Sequence, residues 1–296
     1  MTTLDTLPVT AASTPGRAAR TWRTLRSSRT ALVGLAIVAV HTLVALLAPL
    51  LISYDPTAND PAQALLGPSW SHWAGTDMYG RDVLTRVLYG GRYALGVSVV
   101  ATVIAVALGT VIGCAAALRG GWFDDVLGRV LDAVLSVPAI LALLVVVTAL
   151  GTGPAVIVIA VAVVFVPQVV RVVRGAALAV VPADYVTAAR ARGERTWSIL
   201  WREVLPNIAD VVYVEFAMRA SWVVLLISSL SFLGFGADPP TPDWGLMVAE
   251  NRTAITVVPV ASLAPIIALA TLVVGLNLAA DGLSKAWGVD RIREGS

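Results

Sequence analysis

Within the apolar run between positions 208 and 233, beyond Asp210 at its start, stand two charged residues, Glu215 and Arg219. Four residues is about one helical turn, and the acid lies N-terminal, the more favourable order for an ion pair. Charge in such surroundings is costly and is retained for a task. The pair suits two: lining a hydrated path and meeting a charged solute, or holding two helices in register by mutual neutralisation. Asn277 and Asp132 are weaker candidates; a hydrogen bond between packed helices accounts for Asn277, and Asp132 lies near the end of its apolar run. Other chemistry is missing. The single lysine, Lys285, follows Ser284, so no Gly-Lys-Ser/Thr sequence exists to close a phosphate-cradling loop. Neither a Gly-x-Ser-x-Gly elbow nor a His-Glu-x-x-His or Cys-x-x-Cys pattern occurs. Cys114 is alone, and His41 and His72 have no companion at ligand spacing, so neither a disulfide framework nor a metal centre is expected. Energy for any work must enter through another polypeptide.

A polar island at residues 184–207 is where such a polypeptide could act. It reads Asp184-Tyr185-Val-Thr-Ala188-Ala189-Arg190-Ala-Arg192-Gly193 and continues to Leu205-Pro206-Asn207. Pro182 fits the first turn of a short helix, where its missing N–H costs nothing, and Asp184 near that start complements the helix dipole. Ala188 and Ala189 lack bulk, so a partner surface can approach the backbone. Gly193 is placed to stop the helix, because it adopts the left-handed conformation without penalty. A second segment, 196–204, leads to Pro206. Arg190, Arg192, Arg195 and Arg202 stay wetted and can meet acidic groups. The competing reading is an amphipathic helix resting on a bilayer.

The elements that position these residues are membrane spans. Apolar residues make up 57% of the chain and charged ones 14%, against about 25% charge in a soluble domain. Six blocks approach or exceed the about 20 apolar residues a span requires: 31–52, 93–118, 126–150, 155–173, 208–233 and 259–278. An all-α polytopic membrane protein with six transmembrane helices follows. Sixteen Lys and Arg residues fall on one side of this arrangement and four on the other, with Arg219 inside a span. That bias makes both termini and the 174–207 loop cytoplasmic. The lead before the first block is too long and the block too extended for a cleaved signal, so an uncleaved first helix is expected. Trp22 and Leu25 alternate with arginines, which suggests an interfacial helix. A net charge of +2, borne at membrane flanks, gives no indication of nucleic-acid binding.

The island resembles the EAA loop by which permease subunits of bacterial ABC importers dock their ATPases. Two outer motifs strengthen the resemblance: Gly75-Thr-Asp77-Met-Tyr-Gly80-Arg81-Asp82 through Arg86 to Gly90-Gly-Arg92, and Leu230-Ser-Phe-Leu-Gly234 through Pro239-Pro240 to Trp244-Gly245. In this order the three motifs are similar to the C-type permease subunit of oligopeptide and dipeptide ABC importers, a group that includes nickel and glutathione importers. The resemblance runs from about Trp22 to Asp281. Thr187 stands where the family usually has a glutamate, Glu203 where related peptide permeases carry histidine, and Ile227 where they often carry a carboxylate.

What the resemblance implies is a type I importer permease fold. A cytoplasmic tail with an interfacial helix occupies 1–30, a first span 31–52, an extracytoplasmic loop 53–92, a five-helix core 93–283 with a coupling loop at 182–207, and a tail 284–296. Asp184, Tyr185, Ala188, Ala189, Arg190, Arg192, Gly193, Leu205 and Pro206 would couple to the ATPase. Glu215, Arg219 and Asn277 would border the path of a peptide. The implied partners are a second homologous permease, two ABC ATPase subunits or one fused ATPase, an extracytoplasmic substrate-binding protein, and the bilayer. ATP and Mg would sit on the ATPases, with no cofactor on this chain. Among the outer motifs, Gly75, Gly80 and Gly90 are expected to permit tight turns, and Asp77 and Asp82 to lock the loop by pairing with Arg81 and Arg86. Residues 238–244 should form a rigid turn, with Trp244 at the membrane–water boundary.

Overall fold

The computed structural model describes residues 28–52 and 54–287, the side chain of Trp287 excepted, and the described residues form helices with no β-strand. The expected interfacial helix at 17–29 lies almost wholly outside them.

The first helix, α1 (Arg29–Leu51), begins where the Ser28 Oγ accepts the Ala31 N–H at 3.3 Å. Its 23 residues reach about 34 Å at 1.5 Å each, enough for a hydrocarbon core of about 30 Å. The second, α2 (Val83–Arg119), starts ten residues before the expected 93 because Asp82 caps it, accepting the Thr85 N–H at 2.7 Å. Residues 83–92 are therefore helix and not loop. Gly120, at φ +61°, closes the far end.

The expected third span, 126–150, is not one rod. It is α3 (Gly121–Leu135) and α4 (Ala139–Leu150), bent by 83° where they meet. The cause is Pro138: it has no N–H to donate into a continuing helix, and its ring disfavours the helical conformation of Val137. At about 18 Å, the 12-residue α4 is too short to span alone. The fourth, α5 (Pro154–Val180), runs seven residues past the expected 173. The fifth is α8 (Ala209–Phe232) and the last α10 (Pro259–Trp287), which carries Ser284 and Lys285 in its final turns and so absorbs the start of the expected tail. Among the described residues five helices (α1, α2, α5, α8, α10) are long and apolar enough to cross a membrane, six crossings if α3 and α4 count as one. Two short helices, α6 (Asp184–Ala191) and α7 (Thr196–Ile199), form the loop expected to dock an ATPase, and α9 (Trp244–Asn251) lies on α8 and α10.

Small residues set how closely these helices meet. A Cβ on Gly109 would lie 2.5 Å from Val169, and one on Gly113 3.0 Å from the Val170 carbonyl, so α2 and α5 pack backbone to backbone. Gly34, Gly275 and Gly282 do the same for α1 against α10, where a Cβ on Gly34 would meet the Ala279 nitrogen at 2.4 Å. Lipid gives apolar side chains no reason to cluster, so close van der Waals approach through small residues is what joins such helices. A core of Ala101, Ala105, Leu143, Ile157, Val161, Phe165, Val223 and Ile227 lies between α2, α4, α5 and α8.

Candidate functional site

The docking loop is fastened to the ends of α2 and α5 by its own apolar face. Val186, Ala189, Ile199, Leu200, Val204 and Ile208 are buried against Cys114, Ala117, Val169, Val173 and Ala177. The loop's shape follows from local chemistry. Pro182 lies before the N-cap Ala183 and not in the first turn, and Asp184 is the first helical residue. Gly193 adopts φ +76° just past the C-cap Arg192, with nothing within 4 Å of where a Cβ would sit. The Glu194 N–H then returns to the Ala189 carbonyl at 3.2 Å. After α7 come a π-turn, Leu200–Val204, and a 3-10 turn, Leu205–Asn207, which deliver the chain to α8.

The two alanines part company. Ala188 is exposed, whereas Ala189 is fully buried in the protein's own core, so only Ala188 offers close approach to another molecule. Asp184, Tyr185, Arg190, Arg192 and Pro206 share the exposed side, and Leu205 is half-buried. Arg190 donates to the Leu118 carbonyl at 3.2 Å, tying α6 to the end of α2. Arg192 pairs with Glu194 at 2.7 Å and holds that carboxyl below the usual glutamate range.

Glu215 and Arg219 do form a pair, Nε to Oε1 at 2.5 Å, and Arg219 Nη1 also donates to Gln168 Oε1 on α5 at 2.5 Å. The pair therefore clamps α8 to α5, the register role. Glu215, although buried, is also among the residues that border a cavity of about 310 Å³, with Asn207, Asp210, Met218 and Ser284. Asn277 accepts the Ser221 hydroxyl at 2.8 Å, a bond between α10 and α8, and is not among the residues lining that cavity. Asp132 is exposed and pairs with Arg171. Gln168 escaped the sequence reading, although an amide beside Pro167 within an apolar run was the available signal.

At the other end of α2 the outer motifs converge. Asp77 meets Arg81 at 2.6 Å and Arg86 at 3.6 Å, and both arginines also reach Glu250 on α9, at 2.5 and 3.4 Å. All four are buried to at least nine-tenths of their side chains. Asp82 pairs instead with His72, at 2.9 Å. Gly75 and Gly80 sit at φ +73° and +76°, as tight turns need, but Gly90 is helical. Its role is to admit Trp244, whose ring a Cβ there would meet at 2.7 Å. Trp244 is buried and donates to the Val87 carbonyl at 2.8 Å, so it is a core residue and not a boundary one. Asp243 caps α9 by accepting the Leu246 N–H at 2.9 Å, and its burial pushes its carboxyl up to about 6.

Among the described residues no three His, Cys, Asp or Glu side chains gather to hold a metal ion. The arrangement provides an ion-pair clamp, a cavity and an exposed polar face on the 184–207 loop.

Comparison with known proteins agrees with this shape. Residues 109–288 match the family described as binding-protein-dependent transport system inner membrane component, and residues 16–68 match the N-terminal TM domain of oligopeptide transport permease C. A glutathione transport system permease protein of Pectobacterium atrosepticum is 35% identical over 96% of this chain and 95% of its own. A dipeptide transport system permease protein of Alkalihalophilus pseudofirmus is 35% identical over 90% of this chain and 87% of its own. A glutathione permease of Shigella dysenteriae is 36% identical, covering 90% of this chain and 88% of its own. With the match spanning most of the bundle and the docking loop, the chain belongs to the family of binding-protein-dependent transport system inner membrane components.

Proposed function

We propose that this chain is one permease subunit of an ATP-driven importer of short peptides, contributing half the pathway and none of the hydrolysis. The observation that carries the reading is the docking loop of a permease-family chain: its back is buried in the bundle while Tyr185, Ala188 and Arg192 face outward. A loop gripped on both sides transmits movement. An ATPase closing on the exposed side of α6 pulls the ends of α2 and α5, and with them the Arg219–Gln168 clamp beside the cavity at Glu215. On this reading ATP and Mg sit on two ATPase subunits or one fused ATPase. A second homologous permease completes the path, and a substrate-binding protein delivers at the opposite face. The arginine bias supports a chain that spans the inner membrane of a bacterium with both termini and the loop on the cytoplasmic side.

The names of the relatives support peptides as cargo, dipeptides in one and glutathione, itself peptide-like, in another. Glu215 at the cavity suits the ammonium end of such a solute. Replacing the exposed Ala188 by tryptophan tests the coupling role, because it adds bulk outside the core. The assembled transporter should keep its melting temperature and lose most ATP-driven uptake. Normal uptake with normal stimulation of the ATPase would overturn the proposal. Binding of dipeptides against glutathione to the cognate binding protein separates the two cargoes.

A further inference from the structure

The end of the molecule opposite the docking loop carries aromatic side chains that the transport reading does not use. Trp70 is 97% exposed and Trp73 72% exposed, with Tyr54 half exposed beside them. They are not on a loose loop. Trp70 sits in a turn closed by the Ser69 N–H on the His72 carbonyl at 2.8 Å, and the His72 N–H returns to the Ser69 hydroxyl at 3.1 Å. His72 is in turn fixed between Asp82 at 2.9 Å and Gln63 at 2.7 Å, and the Tyr54 hydroxyl donates to the Ser71 carbonyl at 2.9 Å. A braced turn thus holds out a large apolar ring that is almost fully exposed.

Its position says what meets it. A groove of about 360 Å³ separates this turn from the ends of α1 and α2, lined by Leu51, Ile52, Tyr54, Trp70, Trp73 and Leu84. Leu51 ends α1, and Leu46, Leu50 and Leu51 are 68%, 82% and 60% exposed. Those leucines are the lipid-facing surface of a helix whose length matches the hydrocarbon core. The exposed tryptophans continue that surface at the level where the core ends. Trp and Tyr favour this level, since the ring is apolar and the N–H or O–H stays wet. No lysine or arginine lines the groove, so nothing selects an anionic headgroup. A soluble partner would have to descend to the leucines at the hydrocarbon edge to cover the same rings.

We infer that the 69–73 turn seats Trp70 and Trp73 in the headgroup layer beside α1, with phospholipid filling the groove, so that the bilayer fixes the height of the 54–82 segment. The inference rests on the membrane assignment and is independent of cargo and of coupling.

The test uses the full-length protein with its co-purifying subunits in phosphatidylcholine nanodiscs. A spin label at position 70 (W70C) is compared with one at the exposed Asn59 (N59C) for collision with oxygen and with a water-soluble nickel chelate. Position 70 should favour oxygen over the chelate several-fold more than position 59, with no change when phosphatidylglycerol is added. Should W70C fold poorly, quenching of the intact protein by lipids brominated near the headgroup replaces it, and W70F/W73F should remove much of that quenching. Equal chelate access at both positions would overturn the inference. So would protection that appears only when the substrate-binding protein is added, which would mark a protein-docking surface, or dependence on anionic lipid.

Discussion

The two ends of α2 are built on opposite principles. At its N-terminal end, Asp77, Arg81, Arg86 and Glu250 are buried, and their charges balance one another. At its C-terminal end the docking loop buries only apolar groups, such as Ala189 and Val186, and leaves Arg192, Arg195 and Arg202 exposed. One end spends its charges on itself and joins segments distant in sequence: Arg86 also donates to the carbonyls of Pro56 and Pro240, at 2.8 and 3.0 Å. The other keeps its charges available to another molecule. The lesson is that ionisable residues with similar sequence surroundings mark a strut when buried in matched numbers and a contact surface when left wet.

The largest expected effect breaks the strut. In Glu250→Ala, Arg81 and Arg86 keep one carboxylate, Asp77, between them. Removing one partner of a buried ionic group costs about 3–5 kcal/mol, because here two buried cations are left to share one ion-paired carboxylate, out of reach of water. The purified transporter should melt well below the parent. A melting temperature within a degree or so of the parent (about 1 °C is the shift from a few tenths of a kcal/mol) would mean the cluster is hydrated and the contrast between the two ends is wrong.

A smaller effect comes from Asp243, next to that cluster. Its carboxyl is fully buried, and burial raises it from the ordinary 3.8 to about 6. Its Oδ1 caps α9, and hydrogen bonds from the Leu246 N–H, the Ser231 hydroxyl and the Gly245 N–H temper the rise without cancelling it. A raised acid binds its proton more tightly folded than unfolded, so stability is greatest below about 4, falls as pH rises toward 6, and is level above that. The shift corresponds to no more than about 3 kcal/mol. Melting of the parent should therefore decline between those values. Asp243→Asn, which still caps the helix, should remove this part of the decline while leaving the effect of Glu250→Ala in place. An unchanged pH profile in the variant would assign the decline to other groups.

Much of the docking loop was legible in the sequence, and the reason is that its determinants are local. Gly193 stops α6 because of its own backbone freedom, and Asp184 begins it. The outer cluster was legible only in part: Asp77 with Arg81 is a short-range pair, but Glu250 lies 169 residues from Arg81 and nothing in its neighbourhood announces that contact. The orientation of an alanine within a pair was hidden for the same reason. Ala189 turns inward because α2 and α5 happen to end beneath it. Trp244 misled because an exposed boundary tryptophan and one seated over Gly90 and Gly91 look alike in one dimension. The broken third span was concealed by averaging: hydropathy across 126–150 is nearly continuous, and only Pro138 carries the bend.

The smallest expected change in stability belongs to Arg192→Ala, and it sharpens the comparison most. The side chain is 58% exposed, and its carboxylate partner Glu194 is held low chiefly by this arginine, with help from the Ser198 hydroxyl. A lowered acid stabilises the fold above its unfolded pKa and loses that contribution as pH falls through the folded one. Here water screens both charges, so the pair stabilises little. The variant should melt with the parent at neutral pH, while the Glu194 carboxyl, followed by NMR, titrates closer to the ordinary glutamate value. Uptake should nonetheless fall, because the arginine faces outward where the ATPase would dock. If Arg192→Ala instead lowers the melting temperature as far as Glu250→Ala does, the loop's charges hold the fold together too, and the distinction between a strut end and a contact end disappears. If it leaves both melting and uptake untouched, the exposed arginine serves no partner, and docking must rest on Tyr185 and Ala188.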